Sequence, residues 1–136
     1  ILLLPVLLII PQTLNDIWTL PSNLKNQEAL VADDIAFIKA QPGPAMCEEL
    51  ALCYWAGKSF EVDFFMTGQK IRKGVIPENH LSRLLNNHYF SVIQLYPGSQ
   101  RLPEPLNQQI HANYKVEKTS ASSSGFILLL PKSKPV

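Results

Sequence analysis

The chain has 136 residues, 46% of them hydrophobic, and twelve basic against eleven acidic side chains leave a formal charge of +1. That length is one domain's worth, enough to bury a core without staples. Charges of both signs are mixed along it with no basic stripe, which excludes the electrostatic footprint of a nucleic-acid-binding surface.

Ile1 to Ile10 form an unbroken apolar run with Pro5 inside it. The run lacks the basic start and small-residue cleavage site of an intact signal peptide, and it is half the ~20 residues that span a bilayer. Three origins stay open: a buried first element, a truncated signal segment, or the C-terminal end of a membrane helix. Pro5 favours the last, because strand interiors reject proline while membrane helices tolerate it. No Lys or Arg follows until Lys25, and a flank poor in basic residues points away from the cytoplasm. Trp18 fits either an interfacial anchor or an ordinary packing aromatic. The expected organisation is the end of a truncated transmembrane helix over 1–12, a juxtamembrane linker over 13–22 and an extracytoplasmic domain over 23–136.

From Asn23 to about Ala40, Leu24, Ala29, Leu30, Ile35, Phe37 and Ile38 recur at spacings near three and four, which predicts a helix. Ser22 or Asn23 suits its N-cap. Gln41-Pro-Gly-Pro44 breaks it, and Ala45-Met-Cys47 reads as a short buried strand. Glu49 to Trp55 predicts a short helix with Gly57 where a C-cap glycine belongs. Phe60 to Phe65 alternates enough for a strand. A helix around Thr67 to Lys73 ends at Gly74, and another starts after Pro77 with a stripe of Leu81, Leu84 and Leu85. Phe90 to Leu95 reads as a central strand, Leu106 to Asn113 as a helix. Tyr114–Ser120 and Phe126–Leu130, joined by Ser-Ser-Ser-Gly125, read as a terminal hairpin. Strands alternating with helices predict an α/β fold: a small, mostly parallel sheet with flanking helices and a C-terminal β-hairpin, preceded by the end of a membrane helix.

Cys47 and Cys53 are too widely spaced for the usual zinc motifs. His80, His88 and His111 stand at no matching spacing to them, so no metal site is expected. A disulfide suits a domain outside the cytoplasm, and two buried thiols are the plainer alternative. Glu48 and Glu49 follow the first strand, at the end where α/β sheets open their ligand crevices. With Asp63 they could serve acid–base chemistry or hold a cation. Acids beside helix starts also do purely structural work, so Glu48 and Asp63 are candidates for a ligand crevice and no more. His80 and His88 sit near opposite ends of one helix and share a face only loosely. There is no G-x-S-x-G, G-x-G-x-x-G or Walker lysine loop, so no catalytic residue and no cofactor is assigned.

The stretch Pro44 to Lys58, followed by Phe60-Glu-Val-Asp63 and Phe65, Ile71-Arg-Lys-Gly74 and Phe90 to Leu95, resembles the soluble C-terminal domain of bacterial membrane glycosyltransferases. These are the dolichyl-phosphate-mannose–protein mannosyltransferase-like enzymes of the GT-C class. The likeness covers about half the chain in ordered succession, and Cys47 and Cys53 depart from it. It implies a non-catalytic extracytoplasmic (periplasmic) domain of a transferase that uses a polyprenyl-phosphate sugar. The implied partners are the membrane through the N-terminal helix, the rest of the parent protein and a lipid-linked sugar or acceptor. That family's catalytic acids lie between membrane helices, so none carries over to this chain. The alternatives are a membrane-tethered ligand-binding or sensor module, with a crevice near Glu48 and Asp63, and a stand-alone soluble hydrolase.

Overall fold

The computed structural model describes residues 23–133. Helix α1 covers residues 23–40. It is followed by β1 (Ala45–Cys47), α2 (Leu50–Trp55), α3 (Phe64–Arg72), α4 (Asn79–Asn86), β2 (Val92–Leu95), α5 (Glu104–Asn113), β3 (Tyr114–Thr119) and β4 (Ile127–Pro131).

The sheet order is β1-β2-β4-β3. β1 runs parallel to β2, with Met46 opposite Ile93. β4 is antiparallel to both β2 and β3. Two of the three pairings are therefore antiparallel, which corrects the mostly parallel sheet expected from the sequence. The physical reason lies at Phe60–Phe65. Phe60, Val62 and Phe64 alternate as a strand would, but Asp63 accepts a hydrogen bond from the Met66 backbone N–H at 2.8 Å and starts α3 at Phe64. An N-cap satisfying an otherwise orphaned donor overrides a weak period of two. The terminal hairpin then enters through β4, which packs beside β2 and leaves β3 at the edge.

The pleat sends side chains to two separate cores. Met46, Ile93, Leu95 and Leu129 face α3, α4 and α5, where Phe64, Leu85, Leu106 and Ile110 cover them. Ala45, Cys47, Val92 and Leu128 face α1 and α2, under Ile38, Leu52 and Cys53. Burial on both faces is why β1 is wholly apolar and β2 nearly so, with Gln94 its one polar residue. Gly57, at φ 70°, follows α2 in the left-handed conformation that its lack of a Cβ makes cheap.

The membrane helix expected over 1–12, its linker over 13–22 and the Ser22 cap lie outside the described residues. Among the described residues no helix is long and apolar enough to cross a membrane. The fold is thus a mixed four-stranded sheet with helices on both faces, and the membrane element expected before it is not upheld.

Candidate functional site

The parallel pair β1 and β2 ends where Glu48 and Tyr96 leave the sheet. The Glu48 side chain is almost fully buried and its carboxylate is occupied on all sides. The Tyr96 N–H donates to Oε2 at 2.9 Å and the Ser99 hydroxyl to Oε1 at 2.6 Å. Arg101 Nε stands 3.0 Å from Oε1. Burying a carboxylate is costly unless it is hydrogen-bonded and paired, and these partners make it the fastener between β1 and the 96–101 loop. Glu49 donates its backbone N–H to Gln94 Oε1 at 2.7 Å. Burial, then the charges of Glu49 and Glu48, raises the Tyr96 phenol above its ordinary range. Beside the loop lies a crevice of about 280 Å³, walled by Ser99, Glu104, Asn107 and His111 among others. Asn107 Nδ2 donates to the carbonyls of Ser99 and Leu102.

Asp63 is not part of this crevice: it caps α3. The two acids singled out from the sequence therefore sit on different elements with different structural duties. Cys47 and Cys53 are joined, Sγ to Sγ, across a Cα–Cα distance of 5.9 Å, tying the end of β1 to α2. The three histidines stay apart. His80 opens α4, while His88 follows it at φ 53° with its ring against Tyr114. His111 belongs to α5. No group of three metal-ligating side chains gathers among the described residues.

A polar cluster on the opposite face of the sheet was not foreseen. β3 carries a bulge between Val116 and Lys118. The extra residue turns Lys118 from the α5 side to the α1 side, as bulges re-aim side chains. There its ammonium lies 2.6 Å from Asp33 Oδ2 and 2.7 Å from Asp34 Oδ1. Asp34 is buried, and its other oxygen accepts from the Ser120 hydroxyl, which also pairs with Ser122 Oγ at 2.7 Å. Burial lowers the Lys118 pKa, but the bonds and charges of Asp33 and Asp34 outweigh it and hold the value above that of an ordinary lysine. A lysine kept protonated cannot serve as base to the neighbouring serine, so the cluster is a fastener between the hairpin and α1. The one signal for it in the sequence is an acid, Asp34, on the stripe formed by Val31, Ile35 and Ile38.

An open cleft of about 530 Å³ lies between α3 and α4. Val62, Ile71, Ile76, Leu81 and Leu84 give it an apolar lining, and Thr67 and Pro77 complete the walls. Four polar side chains reach it: Glu61 from the segment before α3, and Asn79, His80 and Arg83 from α4. Glu61 accepts from the Ser59 hydroxyl at 3.0 Å. The Tyr89 phenol is raised above its ordinary range chiefly by its hydrogen bond to Glu61, then by slight desolvation and that negative charge. Arg83 makes no ion pair among the described residues. Glu61 and Arg83 belong to no recognisable motif; only the tertiary fold brings the segment before α3 and the helix α4 to one cleft.

No family model matches the chain, and no curated protein or solved structure matches it either. The likeness to GT-C glycosyltransferase tails is therefore not upheld. The pieces that carried it are common parts of α/β domains: a buried strand, a short helix closed by glycine, a capping aspartate. With it fall the transferase and membrane assignments and the partners drawn from them. The extracytoplasmic location rested on residues outside the described part and likewise has no support.

Proposed function

We propose that this domain is a small-molecule binding module whose site is the cleft between α3 and α4. The observation that carries this is the cleft's composition: an apolar lining of five side chains with a few polar groups converging on it. Its volume falls inside the ~300–1,000 Å³ typical of ligand pockets. The Glu48 crevice supports the reading less well, since it is smaller and its neighbouring carboxylate is consumed in holding the loop. Catalysis is not proposed, because the acids near strand and helix ends are committed to the backbone.

A neutral probe tests the site without presuming its charge preference. 4-Methylpentanamide, titrated into the protein, is expected to bind saturably. Thr67→Trp and Ile76→Trp, which fill the cleft from separate walls, are each expected to abolish that binding while leaving the circular dichroism spectrum unchanged. Saturable binding that survives in both folded variants places the site elsewhere.

A further inference from the structure

Resting on the cleft as the binding site, we infer that its ligand is a small zwitterion with an apolar side chain, an amino acid of the leucine type. Two full charges of opposite sign, Glu61 and Arg83, line the same cavity, yet no ion pair joins them. Opposite charges within one cavity would ordinarily gain by pairing with each other. Unpaired with each other, they leave a guanidinium and a carboxylate on the walls of one cleft.

The guanidinium matches a ligand carboxylate, because its planar fork of donors fits two oxygens at once. His80 lies three residues before it on α4, so both side chains fall on one helix face and can meet the same anionic group. Glu61 uses one oxygen to accept from the Ser59 hydroxyl. A carboxylate has about four lone-pair sites, so it keeps acceptor capacity for an ammonium group. In the same cleft Ile71, Leu81 and Leu84 offer an apolar bed for a branched side chain. A simple anion would leave Glu61 facing it, and a simple cation would leave Arg83 facing it. Only a ligand with both charges answers both.

Four ligands with related side chains separate the terms: leucine, 4-methylpentanoate lacking the ammonium, 3-methylbutylamine lacking the carboxylate, and neutral 4-methylpentanamide. Leucine is expected to bind about tenfold more tightly than either single-charge analogue, the size of one charge-assisted hydrogen bond, and about a hundredfold more tightly than the amide, which lacks both charges. Arg83→Gln should weaken leucine and 4-methylpentanoate about tenfold and leave the amine unchanged. Glu61→Gln should weaken leucine and the amine and leave 4-methylpentanoate unchanged. If the amide or either single-charge analogue binds as tightly as leucine, the zwitterion is wrong and the cleft stands. If none of the four binds, the cleft itself fails as the site.

Discussion

Replacing Gly68 by alanine sets two effects of known size against each other. In the middle of α3, alanine gains about 0.5–1 kcal/mol over glycine through lower chain entropy. The fold opposes that gain. A Cβ at this position would stand 1.9 Å from the Arg101 carbonyl oxygen and 3.0 Å from its carbon. The carbonyl is backbone, so the loop or the helix must retreat by on the order of an ångström to restore contact distance. Neither is free to do so: Arg101 is held to Glu48, and Arg72 donates to the Gln100 carbonyl from the next turn of α3. Overpacking of this kind costs about 1–3 kcal/mol and occasionally more. The clash wins, and Gly68→Ala should lose about 1–2 kcal/mol net. In urea this lowers the unfolding midpoint by on the order of 1 M for a domain of this size. A midpoint equal to or above that of the parent protein would refute the close approach of α3 to the 99–102 loop.

Tyr114 gives a prediction with pH. Burial pushes its phenol, whose hydroxyl has no hydrogen-bond partner among the described residues, up to about 12. The folded value lies above the unfolded value of 10, so this contribution is intact below pH 10 and is lost as pH rises from 10 towards 12. Urea titrations of Tyr114→Phe should show a shallower alkaline loss of stability than the parent, by on the order of 2 kcal/mol across that window. An identical alkaline profile would count against a buried phenol. Glu48→Gln keeps the shape but removes the charge that Arg101 faces, and should cost about 2–3 kcal/mol by chemical denaturation; a change below half a kcal/mol would mean the 96–101 loop is held by other contacts. Lys118→Met removes the cation from buried Asp34 and should destabilise by a similar ~2–3 kcal/mol, with Asp34→Asn added to it restoring part of the loss; no recovery in the double variant would separate the two residues.

Much of the fold is legible in the residues because it rests on strong local patterns. Residues 23–40 keep a helical spacing of apolar side chains, Gln41–Pro44 breaks it, and Val92–Leu95 is apolar enough to mark a strand buried on both faces. The hairpin reads from its serine-glycine turn. What misled was Phe60–Phe65, where alternation suggested a strand while a single aspartate decided for a helix. That misassignment, together with the entry of β4 antiparallel to β2, separates the mixed sheet from the mostly parallel one expected. The candidate cleft was not legible. His80 stands out in the sequence, but Glu61 and Arg83 lie 22 residues apart and meet at one cleft only through the tertiary fold. Glu48 was noticed for its place at a strand end, and its place is real; its partners Ser99 and Arg101 come from a loop whose course no local pattern announces.

Methyl-resolved NMR of the protein titrated with 4-methylpentanamide tests the binding site most directly. The cleft predicts saturable shifts at the methyls of Ile71, Ile76 and Leu84 that fit one dissociation constant, with the Leu95 methyls beside the Glu48 crevice unmoved. Shifts centred on Leu95, or none that saturate at the α3–α4 cleft, would contradict it.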